Sequence, residues 1–224
     1  MGSRRIRPMT AADLALIPEA CARCTFWDTS LAELASPADH VDRESKKAEQ
    51  ARAVTNRWGY CGVIAMQDDE LLGFLTLAPA AFVPRVGAFA TTPMGPDAAM
   101  VTSVYVAPDY RQHGLGRQLV QSAAALVARR DIRAMEALGT YHDGPSCMIS
   151  AGWLEAVGFE VIRPHPVTPR MRMNLQSTVR WRPDLGAAWS RLTGLVSPSA
   201  PEPATYAQRT MTTGLQPAAP LKDS

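Results

Sequence analysis

The segment Val104-Tyr105-Val106-Ala107-Pro108-Asp109-Tyr110-Arg111-Gln112-His113-Gly114-Leu115-Gly116-Arg117 sets a strand, a tight turn with two glycines and an amphipathic helix in immediate succession. At the start of a helix the first amides have no intrahelical acceptor and the dipole end is positive, so an anion lodged there collects several hydrogen bonds at once. Gly114 and Gly116 would let phosphate oxygens reach the backbone with no β-carbon in the way, and Arg111 and Arg117 would add charge. The chemistry suited to such a turn is the binding of a pyrophosphate-bearing ligand. A Walker loop would end in Gly-Lys-Ser/Thr, and a dinucleotide fingerprint would have three glycines and a later acidic ribose ligand; neither pattern is present. The bland alternative is a turn whose glycines serve packing alone.

Other side chains invite chemistry less specifically. Cys21-Ala22-Arg23-Cys24 has the spacing of a redox or metal pair, but zinc needs four ligands and Cys61, Cys147 and the four histidines are scattered. Idle or buried thiols are the simpler reading. His142 and His165 have the right titration range for a base, although loop histidines are common. Phe26, Trp27, Phe82 and Phe89 could line an apolar pocket or simply fill a core. Arg163, His165, Arg170, Arg172, Arg180 and Arg182 form a basic group that could meet an acidic partner, or else a solvated edge.

Elements that could position the turn follow from periodicity. Arg4 to Arg7 reads as a strand, and Thr10 to Asp13 as a capping box opening a helix with Leu14, Ile17 and Ala20 on one face. Residues from Cys21 to Pro37 read as irregular, and Ala38 to Trp58 as a polar helix. Cys61 to Met66 and Leu71 to Leu77 are apolar runs joined by an acidic turn, a hairpin that Pro79 ends. Ala80 to Asp97, with Pro84, Pro93 and Pro96, is a long loop whose Phe82, Val83 and Phe89 are expected to pack over a cleft. Ala99 to Val106 is a β-branched strand, and Leu115, Leu119, Val120, Ala123, Leu126 and Val127 mark the buried stripe of the following helix. Ala134 to Leu138, Phe159 to Ile162 and the alternating Arg170 to Leu175 are strands, with a short helix from Ser150 to Val157 closed by Gly158. Arg170, Arg172 and Asn174 should face outward.

The turn and its flanks resemble motif A of the GNAT superfamily of N-acetyltransferases, Arg/Gln-x-x-Gly-x-Gly/Ala after a strand ending near Val-x-Pro. Arg111, Gly114 and Gly116 match it. The likeness is strongest from Met100 to Leu126 and weaker through Phe159. Cys24-Thr25-Phe26-Trp27 also resembles a Cys-x-Phe-Trp segment of some actinobacterial members, which implies no substrate. The resemblance implies an α/β (α+β) fold with a mixed, mostly antiparallel sheet flanked by helices. It implies acetyl-CoA as acyl donor, its pyrophosphate on Arg111, Gln112, His113, Gly114, Leu115, Gly116 and Arg117. The pantetheine arm would lie along a splayed strand at Val104, Tyr105 and Val106, held by backbone groups of the two valines. A primary amine would attack the thioester directly, which needs positioning, loss of the amine proton and protonation of the departing thiolate.

The sequence departs from the family at the last of these. Many members carry an Asn and, seven residues on, a Tyr that protonates the thiolate, ahead of a Gly-Phe pair. Anchored on Gly158-Phe159, the alignment sets Cys147 at the Asn position and Leu154 at the Tyr position. Cys147, Tyr141 or a water could substitute, and Cys147 could equally be a small buried hydrophobe. No acidic residue lies in the strand Ala99 to Val106; Asp97 and Asp109 flank it, and ordered water can take an amine proton. An acyl-CoA-binding sensor or scaffold without catalysis is the rival expectation.

With 224 residues, 46% apolar and 20% charged, the composition is that of a globular chain, and a net charge of +2 is too small to argue for nucleic acid. There is no run of about 18 apolar residues and no apolar signal core, so a cytoplasmic protein off the membrane is expected. The expected organisation is a domain over 1–182, a helix over 183–196 and a flexible Pro/Ala/Ser-rich tail over 197–224. A homodimer through the late strands is what the resemblance implies. The amine acceptor is left open.

Overall fold

The computed structural model describes residues 3–35, 43–142 and 147–175. All of them lie in one of the two units into which the chain divides, Met1–Arg182. The expected helix 183–196, the tail, Arg180 and Arg182 fall outside the described residues.

Eight strands form the sheet: β1 (Arg4–Met9), β2 (Gly62–Gln67), β3 (Glu70–Pro79), β4 (Ala98–Val106), β5 (Ala134–Thr140), β6 (Ile149–Ser150), β7 (Glu160–Arg163) and β8 (Arg170–Asn174). Their order is β1-β2-β3-β4-β5-β8-β7, with β6 beside β5. Pairing is antiparallel except where β4 and β6 meet β5. The mixed, mostly antiparallel sheet flanked by helices is the one expected. Its helices are α1 (Glu19–Ala22), α2 (Leu31–Ala35), α3 (Arg43–Trp58), α4 (Leu115–Ala128) and α5 (Ala151–Val157).

The two faces of the sheet carry separate cores. One joins Leu72, Leu75, Ala99 and Val101 to Leu115, Leu119, Val120, Ala123 and Val127 of α4 and to α5. The other joins Met9, Ile64, Phe74 and Met100 to Trp27, Val54 of α3 and Val83. On α4 the buried stripe includes Ala124, while Leu126 is only half-buried, a one-position correction to the periodic reading.

Several local expectations changed. The capping box forms, with the Thr10 amide donating to Asp13 Oδ2 at 2.8 Å, but it opens a 3-10 turn over Ala11–Leu16 rather than an α-helix. Pro18 is the cause: it lacks an N–H and biases Ile17 to extended backbone, so the coil stops and restarts as α1. The segment expected to be irregular holds the end of α1 and all of α2, and the sequence carries no sign of the short β6.

The late strands also differ. β8 lies between β5 and β7, so it is no exposed edge. Arg172 does not simply face solvent: it donates to Asp97 Oδ2 at 2.7 Å and to the buried Glu136 Oε1 at 2.9 Å. Gly95 caps this cluster by donating its amide to Glu136 Oε2 at 2.9 Å; a β-carbon there would sit 2.8 Å from Oε1. The basic group is therefore partly spent on internal charge pairing.

Candidate functional site

β4 is the element that opens the sheet. It pairs with β5 only over Ala98–Met100, then diverges, leaving Val101–Val106 without a strand on that side. A bulge contributes: Thr76 faces Ser103 while the next residue, Leu77, faces Val101, so Thr102 is the extra residue and β4 bends there. Its hydroxyl lies 2.8 Å from that of Thr76, which ties the bulge to β3.

Which backbone groups face the opening follows from one bond. The Ala107 amide donates to Leu72 O on β3 at 2.9 Å, and strand geometry alternates, so the peptide groups of Val104 and Val106 point to the free side. The Val106 carbonyl accepts from Arg111 Nε at 3.0 Å, as that direction requires. The Tyr105 backbone is instead turned toward β3, and its ring stacks on Phe74 with centroids 5.6 Å apart.

From Val106 the chain passes through a 3-10 turn, Pro108–Tyr110, into the glycine turn. Gln112 and Gly114 adopt left-handed backbone, φ 61° and 78°, and Gly114 is the N-cap of α4. The alternation curls successive amides toward one point, and the helix adds the free first-turn amides of Leu115, Gly116 and Arg117. Gln118 is the first to bond back, to Gly114 O at 3.1 Å. The two glycines have different reasons. Gly114 borders open space and needs its positive φ. A β-carbon on Gly116 would lie 2.9 Å from Trp153 Cζ2, so that glycine lets the α5 indole close against α4. Arg117 donates to Ala156 O, which also ties α4 to α5. His113 is exposed with Nδ1 2.6 Å from Arg111 O.

The turn, the open side of β4 and a third region form one cleft of about 890 Å³. Val104, Tyr105, Val106, Arg111, Gln112, Gly114, Leu115, Gly116 and Arg117 all line it. His113 does not line it. Past Ser103 the lining passes to Cys21, Cys24, Lys47, Cys147 and Met148.

That third region gathers side chains from segments far apart in the chain. Cys24 and Cys147 both border it. Donation by Cys147, helped by the Phe26 amide and the Lys47 charge and opposed by burial, lowers the Cys24 pKa to about 6. Cys147, the donor, is pushed well up and keeps its proton. Burial pushes the Cys21 thiol up. Lys47 Nζ lies 3.0 Å from Asp28 Oδ2, a buried carboxylate whose pKa burial raises.

Other candidates lie elsewhere. Tyr141 is exposed and outside the cleft lining, its amide bonded to Val167 O at 3.2 Å. His142 bonds Thr140, and His165 Nδ1 accepts from the Val167 and Thr168 amides, so neither histidine borders the cleft. Phe26, Trp27, Phe82 and Phe89 do not line it either. Trp27 is buried, with Phe26 at 4.9 Å and Phe89 at 5.6 Å, so these rings are core packing rather than an acceptor pocket. Leu154 is fully buried in α5.

Residues 27–147 match the family model described as the acetyltransferase (GNAT) family. The chain belongs to the GNAT acetyltransferase family. Two solved GNAT-type structures share the fold at a TM-score of 0.50. The PaiA N-acetyltransferase of Thermoplasma acidophilum, in complex with coenzyme A, is 17% identical over 77% of this chain and 99% of its own. The putative acetyltransferase YncA of Salmonella typhimurium, with its cofactor acetyl-CoA, is 19% identical over 77% and 94%. Comparison with curated proteins gives no match. Among the described residues of this GNAT member, no helix is long and apolar enough to cross a membrane.

Proposed function

We propose that this chain is an acetyl-CoA-dependent N-acetyltransferase that passes an acetyl group directly to a primary amine. The observation that carries the reading is the continuity of the cleft, from a curl of free amides, along the unpaired side of β4, to a cluster of titratable side chains. The chain's groups fit the donor. The amides at 112–117 and the guanidinium of Arg111 suit a pyrophosphate, and the outward peptide groups of Val104 and Val106 suit the amides of a pantetheine arm. The bound thioester supplies the acetyl group.

The protein's own part is then to orient, to exclude water and to manage two protons. Cys147 is the group proposed to protonate the departing thiolate, because it lines the cleft at the position where the family carries a polar residue. Tyr141 is a poorer candidate because its side chain lies outside the cleft lining. The amine loses its proton through water.

A purified-protein assay that follows free thiol with acetyl-CoA and a panel of polyamines, amino acids and peptides tests this. Acceptor-dependent thiol release supports transfer. Coenzyme A binding without turnover on any acceptor would favour the rival, an acyl-CoA sensor, which the burial of Leu154 at the family's acid position motivates.

A further inference from the structure

Beyond Ser103 the cleft borders the sheet face that packs on α3. Phe74 and Tyr105 line it there, their rings stacked with centroids 5.6 Å apart, in the core that includes Val54 of α3. Ile17 and Pro18, ahead of α1, and Met148, ahead of β6, add apolar wall. Into this setting α3 delivers Lys47. Its ammonium is held from behind: Nζ lies 3.0 Å from Asp28 Oδ2, and Asp28 does not line the cleft but borders a small inner cavity. The Asp28 side chain is 7% exposed against 15% for Lys47, so the pair presents its positive end to the cleft. An ammonium has three N–H donors, and Asp28 accepts from one. The charge is felt at the α1 wall, where Lys47 opposes the rise that burial imposes on the Cys21 pKa.

We propose that the acceptor is an aminocarboxylic acid with an apolar body, its carboxylate paired with Lys47 and its body laid on Phe74 and Tyr105. The inference rests on the acyl-transfer reading for the reaction, though not for the binding. An acceptor has to bring its nitrogen to the thioester carbon, at the split of the sheet, and lay the rest of itself on this surface. A second ammonium, as in a polyamine, would meet a like charge whose counterion is already engaged. A neutral amine would bury the Lys47 front without giving it an acceptor. A carboxylate takes the remaining N–H groups in a charge-assisted bond, and an apolar body gains by covering the rings. In the reaction the amine nitrogen bonds to the acetyl carbon as the carbon–sulfur bond breaks; the amine proton passes to water and the thiolate takes one up. The products are the N-acetylamino acid, which keeps its carboxylate, and coenzyme A.

Binding of the product reads the pocket without catalysis. Calorimetry on the full chain loaded with coenzyme A should give N-acetylleucine an affinity about tenfold or more above that of N-acetylleucinamide, which keeps the body and lacks the charge. N-acetylglycine, which keeps the carboxylate and lacks the body, should also bind about tenfold or more weakly. Lys47→Met alone leaves buried Asp28 without its partner, so the variant to compare is Asp28→Asn with Lys47→Met, its folding checked by circular dichroism. It should erase the preference for acid over amide and leave amide binding within about threefold. Equal affinities of acid and amide in the native chain, or a preference that survives the double variant, would overturn the proposal. If the double variant does not fold, the comparison in the native chain decides alone.

Turnover separates this claim from the reading beneath it. With acetyl-CoA, leucine should release free thiol with a kcat/KM about tenfold or more above that of 3-methylbutylamine, the same body without a carboxylate, and above that of spermidine. Faster release with spermidine than with leucine would leave acyl transfer standing and overturn the carboxylate pocket. Binding of N-acetylleucine in preference to its amide, with no thiol release on any acceptor, would uphold the pocket and count against transfer.

Discussion

The two ends of the cleft are built by opposite means. At the turn the lining is backbone: amides of residues 112–117, a left-handed Gly114, and the peptides of Val104 and Val106 on the side of β4 that no strand covers. At the other end the lining is side chains, Cys21, Cys24, Lys47 and Cys147, supplied by three separate stretches of chain. A backbone site tolerates many side chains but is sensitive to φ and to added bulk; a side-chain site can be rewritten residue by residue. The first suits a ligand common to a whole family and the second a partner that differs from member to member.

The largest effect that would sharpen this contrast is at Cys147. Cys147→Ala should lower kcat about 100-fold while leaving coenzyme A affinity within about threefold, the pattern of a lost proton donor. Equal losses in affinity and turnover would show that Cys147 shapes the donor site instead. Next comes Gly116→Val. Its β-carbon would meet the Trp153 ring, so calorimetry and thermal unfolding should both respond, with about 1–3 kcal/mol of stability lost and weaker coenzyme A binding. An unchanged melting temperature would mean that the α4–α5 contact yields at no cost.

Smaller effects follow from charge. Iodoacetamide should alkylate Cys24 at lower pH than an ordinary thiol, and Cys147→Ala should move that profile upward, because the Cys147 thiol is the main cause of the lowered value. An ordinary thiol profile would remove the electrostatic case for a reactive Cys24. Lys47→Met should destabilise the fold by taking the partner from buried Asp28. The sign follows from the raised Asp28 pKa, set mainly by burial: its contribution is fully present below the unfolded carboxylate value and is lost as pH rises through the folded one. The variant should therefore lose more stability at pH 7 than at pH 4 in thermal melts, and a pH-independent loss would argue that Lys47 acts through packing.

The same contrast explains what was legible in the chain. Arg111 to Gly116 could be read because the site is local: strand, turn and helix are contiguous, and each has its own periodic or steric signature. The assignment of Val104 and Val106 came from the resemblance, and strand alternation from the Ala107 amide gives it a physical basis. Cys24, Lys47 and Met148 were not foreseen as cleft residues, because no spacing relates segments that only tertiary packing brings together. The motif alone offers Gly116 as room for phosphate, whereas the nearest neighbour of a β-carbon there is Trp153, a residue that nothing in the motif points to. The outward reading of Arg172 failed for a related reason: alternation gives the face, but the Asp97 and Glu136 that meet it come from other strands and loops.

The claim on which the rest depends is that the curl of amides at Gly114 holds an anion. Gly114→Asn and Gly114→Asp probe it most directly, since both residues tolerate left-handed backbone and the site borders open space, so the two differ chiefly in charge. Titration calorimetry with coenzyme A at matched salt should find the Asp variant weaker than the Asn variant by about tenfold or more, as expected for a carboxylate facing a pyrophosphate near the protein surface. Equal affinities in two folded variants would contradict it.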